Sequence, residues 1–191
     1  MKLKIKVKEI TKGCMPEIIE QGDWIDLKLA EDVRFTGPEV QSRKIKYLPL
    51  GIAMELPKGF EAYVLPRSST PNKWNIELAN SQGIIDESYK GNDDEWRYIA
   101  KAFKAVEIPK GTRICQFRIM PKMNAGILTK LKWLFSNGVE LIKVDNLNKA
   151  KYQGVINEMV SCARITKYAH DNYPDNKIGL MNCGGPSYPA T

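Results

Sequence analysis

Residues 1–10 read MKLKIKVKEI. Leu3, Ile5 and Val7 alternate with Lys2, Lys4, Lys6 and Lys8, a period of two that puts hydrocarbon on one face of an extended chain and ammonium groups on the other. This is the pattern of a half-buried β-strand, and such a strand needs partners. Working outward, short runs of strand-forming residues occur at 24–29, 45–54, 62–66, 74–79, 97–103, 113–120 and 139–144. Turn chemistry separates them at Gly37-Pro38, Pro57-Lys58-Gly59, Pro71-Asn72, Gly91-Asn92, Pro109-Lys110-Gly111 and Asn137-Gly138. Many short strands so punctuated predict an all-β sandwich, barrel or jelly roll. No run is followed by a capped amphipathic helix long enough for a crossover, which argues against a parallel α/β plan. One short helix is expected near 127–135, where Ile127, Leu128, Leu131, Leu134 and Phe135 recur at three- and four-residue steps before Asn137-Gly138 stops them. From residue 148 no sustained period is found, so 1–147 is read as the β domain and 148–191 as a C-terminal tail.

The chain has 191 residues, 43% of them apolar and 27% charged, the composition of a globular domain. Its net charge of +7 admits an anionic ligand. The lysines are dispersed, however, and no RNP, zinc-finger or helix-turn-helix signature accompanies them, so nucleic acid is not an expected partner. No apolar run approaches the roughly 18–20 residues of a membrane span, and the interrupted N-terminus lacks the apolar centre of a secretory signal. Cys14, Cys115, Cys162 and Cys183 form no CxxC pair, which indicates neither a zinc site nor a disulfide framework. A cytoplasmic location is the expectation.

Three stretches carry possible chemistry. In Leu65-Pro66-Arg67-Ser68-Ser69-Thr70 a strand ends in a guanidinium and three hydroxyls, groups that bind phosphate oxygens, or that simply cap a turn. Residues 83–96 read GIIDESYKGNDDEW and concentrate five acids in a basic chain. Ile84 and Ile85 look core-bound, which would put the Asp86 carboxylate at the mouth of a strand pair, able to orient and deprotonate a water, with the Tyr89 ring close by. The plainer reading is a hairpin with an Asx-turn and one structural aromatic. In the third stretch, 109–119, Gln116 shares parity with Ile114, so its amide would share a face with core residues near a strand end and contact either a ligand or a backbone group. Asp93, Asp94 and Glu95 read as a solvated loop, Trp74, Trp96 and Trp133 as core or contact residues, and Cys115 as a buried apolar side chain. The one histidine, His170, falls in the tail and is not expected to act in catalysis.

Taken together, PRSST at 66–70, NSQGIIDESYKG at 80–91 and KGTRICQFRI at 110–119 resemble the second, third and fourth motifs of the trimeric dUTPases, and GDWIDLKLAED at 22–32 resembles the first. The resemblance spans about 20–147, and its most specific element is the Asp86-Tyr89-Gly91 spacing. It implies a jelly-roll-like β domain, assembly as a homotrimer with interfacial sites, and Mg²⁺-assisted attack of water on the α-phosphate of dUTP, giving dUMP and pyrophosphate. By the same resemblance Asp86 activates the water and Tyr89 packs on the deoxyribose. Asn80, with main-chain groups of the hairpin around Gly83 and Ile85, reads uracil. Arg67, Ser68, Ser69 and Gln116 lie along the phosphates, and Asp26 supports water or metal. Mg²⁺ would be held mainly by the triphosphate and waters.

The sequence departs from the family pattern in three places. Trp24 stands where a Gly is usual two residues before Asp26, the third motif runs on into an acidic loop, and the Gly-rich fifth motif is not recognisable in Asn182-Cys183-Gly184-Gly185-Pro186-Ser187-Tyr188. Two other functions remain open at this point. A dCTP deaminase-like enzyme shares the fold and an Arg-Ser-Ser segment and would release ammonia from dCTP. A catalytically weak nucleotide-binding or regulatory homologue would bind dUTP without turnover.

Overall fold

The computed structural model describes residues 2–19 and 22–147. The expected tail, with His170, Cys162, Cys183 and the Gly184-Gly185 segment, lies outside the described residues. The chain opens with β1 (Leu3–Glu9), in which Leu3, Ile5 and Val7 are buried and Lys2, Lys4 and Lys6 are exposed, as the alternation requires. It continues through β2 (Glu17–Ile18), β3 (Ile25–Lys28), β4 (Val33–Phe35), α1 (Gly37–Gln41), β5 (Ile45–Pro49), β6 (Ile52–Glu55) and β7 (Phe60–Pro66). The second half runs α2 (Thr70–Trp74), β8 (Ile76–Leu78), β9 (Gly83–Asp86), β10 (Arg97–Ala102), β11 (Val106–Ile108), β12 (Arg113–Pro121), α3 (Ile127–Leu134) and β13 (Val139–Lys143).

The fold is all-β with short helices, as the punctuated strands predicted, and α3 occupies the stretch expected to be helical. Among the described residues four sheets form: β13-β1-β6, β5-β10-β8, β11-β4 and the five-stranded β2-β3-β12-β7-β9. β1 lies between antiparallel β6 and parallel β13, so the N-terminal strand is hydrogen-bonded on both edges. Between the sheets the largest enclosed side chains are Trp96, Tyr98, Phe35, Phe60 and Phe117. Trp96 and Phe117 meet edge-to-face, with centroids 5.2 Å apart and planes at 75°. Trp74 and Trp133 are partly buried against this core, and Cys14 and Cys115 are free and buried within it. No helix among the described residues is long and apolar enough to cross a membrane.

Two expected strands are cut short by single residues. The run 45–54 divides at Gly51, whose φ of +67° turns the chain where a Cβ would lie 2.8 Å from the Cys14 side chain. The run 74–79 begins later than its hydrophobicity suggests, because Trp74 closes α2 and Asn75 adopts the left-handed conformation (φ 52°) before β8 starts at Ile76.

The acidic loop is not a solvated run. Only Asp93 is exposed. Asp94 Oδ2 accepts from the Gly91 N–H at 2.6 Å, and Glu95 Oε1 accepts from the Gly51 N–H at 2.9 Å. The preceding Asn92 accepts from the Leu147 N–H at 3.0 Å. These acceptors satisfy backbone donors that a left-handed Gly and a tight loop leave unpaired. Acid is concentrated there partly to fasten the turn to β6.

Candidate active site

Strand alternation sorts the site residues onto one face of the five-stranded sheet. Phe60, Ala62 and Val64 of β7 and Cys115, Phe117 and Ile119 of β12 point into the core. The residues between them, with their register partners Asp26 on β3 and Ile84 and Asp86 on β9, fall on the opposite face. Two expectations are corrected here. Ile84 is 61% exposed, because adjacent residues of a strand cannot both face the core and it is Ile85, paired with Ala62, that does. Gln116 does not share the core face. A β-bulge between Arg113 and Cys115 buries Ile114 and Cys115 together and resets the parity, so Gln116 lies opposite Asp26 and Leu65 on the outer face.

At the C-terminal end of β7, the first, second and fourth motifs converge. Asp26 is 2% exposed, and its Oδ2 lies 3.1 Å from Arg67 Nε and 3.3 Å from Arg113 Nη1, close enough for ion pairing though without hydrogen-bond alignment. Arg113 also reaches Glu17, at 3.4 Å. Where the sequence suggested a metal or water contact for Asp26, the structure gives it two guanidinium partners. Gln116 Nε2 donates to the Pro66 carbonyl at 3.4 Å, beside the turn that carries Arg67. Ser68 and Ser69 are exposed, while the buried Thr70 hydroxyl donates to the Ile114 carbonyl at 2.7 Å and pins that turn to β12.

The third motif occupies β9 and the turns flanking it. Asn80 is exposed and donates to the Gln82 carbonyl at 3.2 Å. Gly83 passes so near β7 that a Cβ would sit 3.1 Å from Val64 Cβ. At the far end, Asp86 lies opposite Glu61, six positions before Arg67 on the chain of β7, a separation of about 20 Å along an extended strand. Asp86 Oδ1 accepts from the Ser88 N–H at 2.8 Å, the Asx-turn of the plainer reading, and Oδ2 lies 2.5 Å from Lys122 Nζ. The Lys122 ammonium, then the Ser88 N–H, hold the Asp86 carboxyl down at about 2. Tyr89 is 40% exposed, and its hydroxyl donates to the Glu95 carbonyl at 3.1 Å.

The structure therefore gathers Asp26, Arg67, Ser68, Ser69 and Gln116 at one end of β7 and Asp86 and Tyr89 at the other, with Gly83 and Ile85 along the strand between them. Lys122 and Arg113 were given no role by the sequence reading, and Thr70, read there as one of three hydroxyls for phosphate or a turn, serves the turn. Each owes its place to cross-strand register and not to a local pattern. Lys122 does directly follow the fourth-motif strand, but nothing in its neighbourhood signals that the third-motif carboxylate lies beside it.

A family model described as dUTPase matches residues 24–132. Over 154 residues the chain is 46% identical to the SPbeta prophage-derived deoxyuridine 5'-triphosphate nucleotidohydrolase YosS of Bacillus subtilis (strain 168), which covers 81% of this chain and 95% of that protein. It is 37% identical over 120 residues to the deoxyuridine 5'-triphosphate nucleotidohydrolase of Rickettsia prowazekii (strain Madrid E), covering 62% and 78% of the two chains. Among solved structures, the dUTPase from Streptococcus mutans superposes with a TM-score of 0.53 at 26% identity, over 60% of this chain and 91% of that one. The matched region contains the second, third and fourth motifs, the first from Trp24 onward, and both ends of β7, and by these relationships the chain belongs to the dUTPase family.

Proposed function

We propose that this protein hydrolyses dUTP to dUMP and pyrophosphate, with Asp86 directing a water onto the α-phosphorus, and that its sites form between copies in a homotrimer. The observation that carries the reading is the separation of the two clusters. A triphosphate contacting Arg67, Ser68, Ser69 and Gln116 does not also reach an Asp86 about 20 Å further along β7 of the same chain. A second copy supplies the missing end. Ile84, 61% exposed on the sheet face that carries Asp86, is in keeping with a surface that another copy covers.

In this reading Asp26 holds Arg67 in place, so that the guanidinium meets the phosphates with its orientation already set. Tyr89 lies against the sugar, and Asn80 with the backbone at Gly83 and Ile85 reads the base. With its pKa at about 2, Asp86 is a poor proton acceptor at neutral pH, so its larger part is to accept a hydrogen bond from the water and aim it.

The donor set suits a Mg²⁺ carried by the substrate. The described residues contain no group of three or more His, Cys, Asp or Glu side chains able to cage an ion, and Asp26 already faces two guanidiniums. Mg²⁺ keeps its waters and binds chiefly through phosphates. When bound, it neutralises charge developing on the phosphate oxygens. The free buried thiols of Cys14 and Cys115 suit a reducing cytoplasm.

Complementation tests the reading. Asp86→Asn and Arg67→Ala chains, each deficient alone in releasing pyrophosphate from dUTP, are expected to regain turnover when unfolded and refolded together. No recovery in a mixed trimer would place both clusters in one copy's site. Ammonia from dCTP would point instead to deamination.

A further inference from the structure

We infer that Lys122 is a positioning residue for Asp86, clamping the water-directing carboxylate of the proposed hydrolysis to the end of β12. The inference rests on the reading of Asp86 given above. Its geometric basis is a closed set of contacts around Gly59. The Lys122 N–H donates to the Gly59 carbonyl at 2.9 Å, the Gly59 N–H donates to Glu87 Oε2, and Glu87 Oε1 lies 3.6 Å from Lys122 Nζ. The same ammonium lies 2.5 Å from Asp86 Oδ2. Gly59 can close this set because its φ is +82°, and its missing side chain leaves room for Thr129 of α3, whose atoms would lie 3.0 Å from a Cβ. The turn before β7, the end of β9 and the end of β12 are thus joined at one lysine, itself half-buried with its side chain 23% exposed.

Charge makes the same point. Asp86 and Glu87 are adjacent, and Glu61 faces Asp86 across β7 and β9 while accepting from the Tyr63 hydroxyl at 2.7 Å. Three carboxylates therefore share this end of the sheet, and among the described residues the ion pairs of Asp86 and Glu87 recorded in the structure go to Lys122. Without the ammonium, mutual repulsion would favour protonating one carboxylate and would let Asp86 swing away from the strand axis. With it, Asp86 stays ionised and has one oxygen fixed by Lys122 and the other by the Ser88 N–H.

The test compares Lys122→Met, Lys122→Arg and Asp86→Asn in the full chain, with folding and assembly checked by circular dichroism and sedimentation. Lys122→Met is expected to lower kcat for dUTP roughly 10- to 100-fold with KM nearly unchanged, the scale on which misplaced catalytic groups act. It should also move the acid limb of kcat/KM up toward the ordinary carboxylate range, because the ammonium that holds Asp86 down is gone. Lys122→Arg should restore most of the turnover and reverse that shift. If Lys122→Met keeps both kcat and the pH profile of the parent, the positioning role is wrong. If KM rises while kcat holds, Lys122 binds substrate and the inference is equally overturned. Should Lys122→Met fail to fold, Lys122→Gln and the arginine variant carry the same comparison of kcat with KM. Full turnover by Asp86→Asn would remove the reading of Asp86 itself, whereas loss in Asp86→Asn with no change in the Lys122 variants removes only the role of Lys122.

Discussion

The two ends of β7 carry opposite solutions to the same electrostatic problem. At the Arg67 end Asp26, on β3, has a side chain only 3% exposed and faces two guanidiniums, one from β12 and one from the turn after β7. At the Asp86 end the carboxylate is 45% exposed, and Tyr89 beside it is 40% exposed. Buried charge must be paired where it is buried, so the first cluster is completed by strands of one chain. The second leaves the carboxylate and an aromatic ring partly exposed, where a water, a sugar or another copy can meet them. On the proposed reading, a phosphate-binding end can be rigid before substrate arrives, and a water-directing end has to remain open until it does.

The most severe way to break this comparison is at the open end. Asp86→Asn keeps the Ser88 turn but loses the charge, and turnover should fall by about 10²- to 10⁴-fold while the fold and binding of a non-hydrolysable dUTP analogue persist. Pyrophosphate release and titration calorimetry measure the two. At the closed end, Arg67→Ala should cost about 2 kcal/mol of stability, less than the roughly 3–5 kcal/mol for a buried charge left alone, because Arg113 remains at 3.3 Å. Urea unfolding checks this, and a weakened KM for dUTP should accompany it. Glu95→Ala sharpens the account of the acidic loop. Losing the acceptor for the Gly51 N–H should destabilise the fold by about 1 kcal/mol, with kcat little changed for folded protein.

The smallest effect concerns pH. A carboxyl held at about 2 is ionised throughout the neutral range, so Asp86 should set no acid limb in kcat/KM above about pH 5. The sign for stability follows from the same depression. The Asp86–Lys122 pair favours the folded state fully above the ordinary carboxylate pKa of 3.8 and loses that contribution as the pH falls toward 2. Urea unfolding of the parent and of Lys122→Met at a series of pH values should show the full difference above about pH 4, and the two should converge as the pH falls through that lower window.

Much of the fold was legible because strand alternation is local. Leu3, Ile5 and Val7 declared a buried face, and the hydrophobic spacing at 127–134 declared α3. The misreadings share one cause. Ile84 and Ile85 form an apolar pair with no indication of which faces inward, and Gln116 takes its face from a bulge two residues earlier. Asp94 and Glu95 look like solvent charges until the unpaired N–H groups of Gly91 and Gly51 are seen beside them. Motif spacing named Asp86, Tyr89, Arg67 and Gln116, but it said nothing of Lys122 or Arg113, which enter through contacts between distant strands.

By itself the sequence determined the strand periodicity, the turns that divide it and the four motifs, since each depends on neighbours along the chain and on the conformations that Gly, Pro and Asn permit. Only the tertiary structure decided which face each strand presents and which charges meet. Register joins Asp26 to Gln116 and Glu61 to Asp86 across gaps of many residues, and a single bulge between Arg113 and Cys115 changes the face of those before it. That pairing sets two clusters at opposite ends of one strand, and it is the physical reason the proposed reading calls for a second copy.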